Sequence, residues 1–416
     1  LLEQRFGASA KDHAGKMYLF GRLFASGARL YMAAIAVAML LFNNIAASSV
    51  IIAILLLAIV GLLCTVAGGI RSVIYTDALQ CAVYLLAALL VLFYLYHSLA
   101  LPLPEILQAL SEEQADGSSK LLLFDWRLDF SGSGVFNLWS ALTGFVLLNI
   151  AALGMDQDMT QRVLTCQNRE AAGRALLSSV LMVIPSMLVF MLIGLLLYLF
   201  YQRPDLYQPG HAYAREFAGE NVTVFMYYVL NELPSGLRGL VVVGVIAAAL
   251  STITSGLNAM ASVLVADIYK PWKLRRQANI SERHFVKAGQ AGMLLTAAAL
   301  SVMAVLCFYW QQYSDMPLLA FALSVMVFSY SGLLGVFFTA LFSQRGNRYS
   351  VTAALLSGFC VTLLLQPYIL QQLSPNLAAF NLGFTWQLCI GTAVATLVCL
   401  LGPGRDTRKG VVTCGS

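Results

Sequence analysis

Asp77 stands eight residues into an apolar run, in the stretch Thr76-Asp77-Ala78-Leu79-Gln80. An ionisable side chain at that depth is costly, roughly 2.5–3.5 kcal/mol even on lenient membrane-insertion scales, so it marks a functional position by default. At 1.5 Å per residue it lies about 12 Å from the helix start, too deep for a short carboxylate to reach the interface as a lysine can. It either serves a cation or proton, or is a protonated or hydrogen-bonded packing group. Arg29 is deeper still, thirteen residues after Lys16 and thirteen before Phe42. A guanidinium there calls for a wet cavity and an anion, which is either a protein carboxylate such as Asp77 or the carboxylate of a bound solute. A third feature is the hydroxyl-rich stretch from Gly244 to Asn258, in which Ser251, Thr254, Ser255 and Asn258 are spaced i, i+3, i+4 and i+7 and so share one helical face. Three hydroxyls near a carboxylate suit a hard monovalent cation, with sodium the best fit. The alternative is that they bond back to the preceding turn, with Ala247, Ala248 and Ala249 allowing close helix packing. Finally, Asn149 sits among apolar residues between Gly144 and Gly154, ahead of Asp156-Gln157-Asp158, as in the unwound helices that line solute sites in inverted-repeat transporters.

The elements that hold these groups follow from composition. Of 416 residues, 59% are hydrophobic and only 11% charged, with a mean hydropathy of +0.78. A soluble domain carries about a quarter charged residues, so a water-soluble enzyme or a disordered chain is excluded. The net charge of +5 comes from scattered residues rather than a basic stripe, which excludes nucleic-acid binding. Cys64, Cys81, Cys307, Cys360, Cys389 and Cys399 lie in apolar runs without a C-x-x-C pair and read as small buried hydrophobes. Motifs of covalent catalysis such as H-E-x-x-H, G-x-S-x-G or a P-loop are missing from the sequence, so an enzyme is not expected.

Apolar runs of about 20 residues or more, enough to span a bilayer, fall near 20–42, 46–67, 69–97, 135–154, 172–201, 237–268, 285–310, 316–342, 349–370 and 381–403. The expectation is an all-α polytopic bundle of about ten transmembrane helices. With residues 1–18 in the cytoplasm, alternation puts 19 of the 25 Lys and Arg on that side and five on the other, Arg29 being mid-span; this satisfies the positive-inside rule. The cytoplasmic set includes Lys270, Lys273, Arg275, Arg276, Arg345, Arg348, Arg405 and Lys409. Two long outer loops, 98–134 and 202–234, read as solvated connectors, with lids over a vestibule as the alternative.

Arg5-Phe6-Gly7, Gly68-Gly69, Thr76-Asp77 with Gln80, Asp156-Gln157 with Gln161-Arg162, Gly236-Leu237-Arg238-Gly239-Leu240, Ala248-Ala249-Leu250-Ser251-Thr252, Leu257-Asn258 and Asp267-Ile268-Tyr269 occur in that order. The set resembles the sodium/solute symporters, which include sodium-coupled sugar, proline, pantothenate, monocarboxylate and sialic acid carriers. The resemblance implies a LeuT-like (APC-type) core of two five-helix inverted repeats with solute bound at the midplane. It also implies one transporter domain over 1–416 that lacks the N-terminal helices, with core helices three to ten over about 16–342 and further helices over about 349–403.

By the same resemblance, the shared sodium site takes the Ala248 carbonyl and the Ser251 and Thr252 hydroxyls, and a second sodium site takes Asp77, Ser251, Thr254 and Ser255. Asn149 matches a sugar-contacting position, but Ala152 and Leu181 replace the aromatic and lysine expected beside a galactose-like sugar. Arg29 lies on the helix from which sialic acid carriers supply an arginine to the substrate carboxylate. The expected function is therefore sodium-coupled import of a small organic anion, such as sialic acid or another carboxylate, by alternating access across a cell membrane of the bacterial inner-membrane type. Na+ is the coupling ion, and the partners are the solute and the bilayer. The competing expectations are proton coupling through Asp77, a neutral-sugar carrier, or a transporter-like sensor domain.

Overall fold

The computed structural model describes residues 2–67, 70–112, 119–122, 124–132, 134–203, 223–276, 280–312, 318–373 and 381–403. Gly68-Gly69, most of the second outer loop (204–222), Arg405 and Lys409 lie outside them. The chain is almost entirely helical: α1 (Leu2–Phe6), α2 (Ala8–Phe42), α3 (Ala47–Ala67), α4 (Ile70–Leu99), α5 (Leu103–Ser111), α6 (Leu138–Gly154), α7 (Gln157–Leu164), α8 (Arg169–Gln202), α9 (Val224–Glu232), α10 (Ser235–Leu274), α11 (Glu282–Gln311), α12 (Leu318–Phe342), α13 (Arg348–Leu364), α14 (Pro367–Leu373) and α15 (Phe384–Leu400). Among the described residues seven helices are long and apolar enough to cross a membrane, and α6 with α7 makes an eighth, broken span bent by 52°.

Two expected spans are shorter than the apolar runs that announced them. The run 349–370 yields a helix only to Leu364, because Pro367 disfavours helix at the residue before it and opens a new one at its own first turn. Gln366 fills that corner, donating to Gln387 at 2.8 Å, both side chains being buried. The last run starts helix only at Phe384, because residues 381–383 pair instead with the outer loop: the Gly132 amide donates to the Asn381 carbonyl at 3.0 Å and the Gly383 amide to the Phe130 carbonyl at 2.7 Å. Asp129 accepts from the Ser131 amide at 2.8 Å in this loop, and that bond holds its carboxyl below the usual carboxylate range. The first outer loop is thus anchored to the bundle at Phe130 and Gly132. The cysteine expectation needs correcting in part: Cys307 and Cys399 are buried, but Cys64 and Cys360 are exposed on apolar spans, because the bilayer solvates a thiol that water would drive inward.

Cross-loop contacts agree with the sidedness read from charge. Arg5 donates to the Ser343 carbonyl, Lys11 lies 3.5 Å from Asp267, and His13 lies 2.7 Å from Thr352, all between segments that the charge pattern puts on one side. On the outer side, Arg203 pairs with Glu112 at 2.8 Å.

Three apolar clusters form the interior. One joins α2, α6, α12, α13 and α15, a second joins α2, α3, α10, α11 and α12, and a third joins α4, α5, α8, α9 and α10. Since lipid is as apolar as leucine, close packing of small residues does much of the holding. Where α12 meets α13, a Cβ built on Gly358 would stand 2.6 Å from the Gly332 Cα, and one on Gly332 would stand 2.8 Å from the Leu355 carbonyl oxygen. Both obstacles are backbone, so the helices themselves must part. Gly358→Val is expected to cost about 1–3 kcal/mol, whereas Gly194→Val on α8, where a Cβ meets nothing within 4 Å, should leave the melting temperature in detergent nearly unchanged. Equal effects at the two glycines would remove the contact as the cause.

Candidate functional site: the α4–α10 seam and the cytoplasmic charge network

The hydroxyl stretch is helical throughout and lies in the middle of α10, which packs along α4. Asp77 on α4 faces it. One carboxylate oxygen accepts the Ser251 hydroxyl at 2.7 Å and the other accepts Arg162 Nη2 at 2.6 Å, and the Asp77 side chain is only 10% exposed. At the next residue, the Thr252 hydroxyl donates one turn back to the Ala248 carbonyl at 3.1 Å, so these two oxygens are adjacent. Thr254 and Ser255, both buried, donate to the Ser251 and Thr252 carbonyls at 3.2 and 3.3 Å. These are the back-bonds that the packing alternative foresees. They use only the proton of each hydroxyl, however, and leave its oxygen lone pairs to accept. The same face therefore offers hydroxyl, carbonyl and carboxylate oxygens of the kind a hard cation takes.

The span through Asn149 breaks where the chain becomes polar. The sequence placed the break between Gly144 and Gly154; in the structure a π-helical stretch, Ala141–Phe145, occupies the first part and the bend comes at Met155-Asp156. Asp156 causes it by acting as N-cap of α7 in an extended conformation, its carboxylate accepting the Asp158 amide at 3.0 Å. The same carboxylate accepts the Tyr18 hydroxyl at 3.0 Å and a hydrogen bond from Arg22 Nη1, both from α2. The Tyr18 oxygen in turn accepts the Gln157 amide at 3.1 Å. Arg22 and Asp156 are each 5% exposed. From Arg22 the charges continue to Asp158 at 3.6 Å, from Asp158 to Arg162 at 3.0 Å, and from Arg162 to Asp77. Gln161 adds a bond to Ser262 at 2.9 Å. A single chain of polar contacts thus runs from α2 through α7 to α4 and α10 on the cytoplasmic side.

Of the predicted residues, the structure brings Asp77 and Ser251 into contact and sets Ala248 against Thr252, with Thr254 and Ser255 one turn on. It does not join Arg29 to Asp77. Arg29 lies two turns beyond Arg22 on α2, and its guanidinium meets the Met326 sulfur at 3.7 Å; among the described residues it forms no ion pair. A thioether is a weak acceptor, so most of the guanidinium's five donors remain available. Asn149 is exposed, and its amide donates to the Phe145 carbonyl at 2.8 Å without reaching Arg29.

Arg22, Tyr18 and Asp158 went unrecognised in the sequence. Their signal was present in Tyr18 and Arg22 at i, i+4 within an apolar run, and in Asp158 and Arg162 at i, i+4 after an N-cap aspartate. What hid them was nearness to the ends of the apolar runs, where a charge is ordinarily solvated.

A family model described as the sodium:solute symporter family matches residues 16–358. The sodium/sialic acid symporter NanT of Aliivibrio fischeri is 24% identical over 348 residues, covering 82% of this chain and 62% of that protein. The sodium/sialic acid symporter SiaT of Proteus mirabilis is 25% identical over 315 residues, covering 74% and 59%, and the human sodium/iodide cotransporter is 24% identical over 368 residues, covering 87% and 52%. The chain therefore spans about three-fifths or less of the length of these relatives. A solved structure of a Na+-coupled sialic acid symporter in its substrate-bound outward-open state superposes with a TM-score of 0.75 at 21% identity, covering 97% of this chain and 77% of that one, and this likeness gives the fold as LeuT-like. A match across most of the chain, on a multi-pass helical bundle, places it in the sodium:solute symporter family.

Proposed function

We propose that the chain works in sodium-coupled import of a small organic anion, with α2 to α12 as core helices three to ten and α13 to α15 as additions outside the core. The observation that carries the reading is the seam between α4 and α10, where the Ala248 carbonyl, the Thr252 hydroxyl and the Ser251–Asp77 pair present oxygen ligands within one helical turn of each other. Ala248, Ser251 and Thr252 are assigned to one sodium ion, and Asp77, Ser251, Thr254 and Ser255 to a second. Arg29 is assigned to the solute carboxylate, and the sialic acid carriers among the relatives make a sialic acid the first compound to try.

The arrangement favours sodium over proton coupling. Asp77 stands among hydroxyl and carbonyl oxygens rather than alone, the oxygen-rich ligand set that a hard cation takes. Each charge crossing a 100 mV potential supplies about 2.3 kcal/mol, so two sodium ions with one monoanion still carry net charge inward and concentrate the solute. Opening to the cytoplasm would have to part the network from Tyr18 to Asp77, which makes that network the natural inner closure of the cycle.

The test is ligand-dependent melting of the purified protein in sodium against choline at constant pH. A ligand that binds only the folded state adds about 2.7 kcal/mol at a hundred times its Kd. Sodium is expected to raise the melting temperature, and Thr252→Ala to abolish most of that rise without lowering the melting temperature in choline, since its hydroxyl bonds only within its own helix. Equal melting in both salts, with a shift on acidification instead, would move the coupling to protons.

A further inference from the structure

The cytoplasmic end of α10 changes to a π-helix over Leu264–Tyr269 before finishing at Leu274. The wider turn, facing the small residues Ala291 and Gly292 of α11, leaves a groove of about 650 Å³ open to the side of the bundle. Leu264, Val265, Ile268, Trp272 and Leu295 line it, with almost no polar surface. In a membrane such a groove holds a hydrocarbon chain. What selects the molecule is its rim.

Six cations, Lys270, Lys273, Arg275, Arg276, Arg283 and Lys287, fall within eighteen residues at this end of the two helices, and none of them makes an ion pair with a described residue. The Arg276 guanidinium sits 4.4 Å over the ring of Trp272, one of the groove's lining residues, and Lys270 Nζ lies 5.4 Å from the Phe285 ring. Of the acids nearby, Asp267 is directed to Lys11 at 3.5 Å, leaving exposed Glu282 against six positive charges. Tyr269 and Trp272 mark the interface depth that aromatic side chains favour. A second apolar groove, of about 370 Å³ beside Phe20 and Leu355, has only Lys16 and a His13 already bonded to Thr352 at its rim. Apolar volume occurs at both places, but concentrated unpaired charge only at the first.

We infer that this groove is a binding site for one acidic glycerophospholipid, its acyl chain lying against Leu264, Val265 and Leu295 and its headgroup phosphate held by Lys270, Lys273 and Arg276. Basic pockets between helices on the cytoplasmic face are suited to acidic headgroups. Because α10 also carries Ser251 and Thr252, such a lipid would brace the inner end of the helix that holds the proposed sodium ligands. The lipid assignment itself does not depend on sodium coupling.

Trp272 supplies its own reporter. The full protein is reconstituted in phosphatidylcholine bilayers containing either brominated phosphatidylglycerol or brominated phosphatidylcholine, and the Trp272 signal is taken as the difference from Trp272→Phe. The acidic lipid is expected to reach half-maximal quenching at a mole fraction at least about fivefold lower than the zwitterionic one, the preference that one surface cation supplies. Lys273→Gln with Arg276→Gln should bring the two lipids to near parity, and Ala291→Phe, which fills the groove from an exposed position, should abolish quenching at low mole fraction. Equal quenching by both lipids in the unaltered protein, the behaviour of bulk annular lipid, overturns the inference. So does a preference that survives the loss of both cations.

Discussion

Arg22→Met should destabilise the protein by about 3–5 kcal/mol, the range for removing one partner of a buried ion pair. Arg22 and Asp156 are each 5% exposed, so the loss strands a carboxylate with the Tyr18 hydroxyl and one backbone amide as its remaining donors. The cost lies in the uncompensated charge rather than in the attraction itself, and that distinction can be measured. Arg22→Met combined with Asp156→Asn removes both charges of this buried pair, while the amide oxygen can still cap α7 and accept from Tyr18. The double variant should recover more than half of the loss in denaturant-induced or thermal unfolding. If single and double variants are equally unstable, the stem of Arg22 packing between α2 and α7 is what matters, and the pair is incidental. Asp158 is cushioned in either case, because Arg162 still meets it at 3.0 Å. If the network also closes the cytoplasmic side, the single variant should additionally make α10 residues such as Ser262, introduced as cysteine, more reactive toward a membrane-impermeant thiol reagent added from the cytoplasmic face.

The spans were legible in the sequence because a bilayer imposes one coarse rule, about 20 apolar residues per crossing, and ten such runs leave little freedom in topology. Contacts from Arg5 to Ser343 and from Arg203 to Glu112 join segments that this topology puts on one side. Asp77 and the face of Ser251, Thr254 and Ser255 were legible for a related reason: polar groups deep in apolar helices are few, and periodicity puts them on one side. Helix ends were harder. The corner at Pro367 and the N-cap at Asp156 are decided by one residue each, whereas an averaged apolar window runs straight through both. Pairing was harder still. Nothing in the spacing says that Arg162 meets Asp77, 85 positions away, or that Arg22 rather than Arg29 takes the nearest carboxylate. Both arginines sit in the same apolar helix, and only the placement of the α6–α7 bend tells them apart.

That difference gives Arg29 an effect opposite in sign to that of Arg22. Arg29 has a methionine sulfur at 3.7 Å where Arg22 has Asp156, and an ionised side chain inside the bundle without a counter-charge is unfavourable in the solute-free state. Arg29→Gln should therefore leave the solute-free protein as stable as before or more so, and it should retain the sodium-dependent rise in melting temperature. What it should lose is the anion. Removing one side of a desolvated charge pair costs 2–5 kcal/mol or more, so affinity for a carboxylate solute such as a sialic acid, measured by calorimetry in sodium, should fall by at least about thirtyfold. Arg29→Lys should recover part of this, because it keeps the charge but not the planar fork that grips both carboxylate oxygens. The set of outcomes separates the possibilities cleanly. Weaker folding with unchanged anion affinity would make Arg29 a structural residue, and a neutral sugar bound equally well by Arg29→Gln would replace the anionic solute by an uncharged one while leaving the sodium assignment proposed for the seam between α4 and α10 in place.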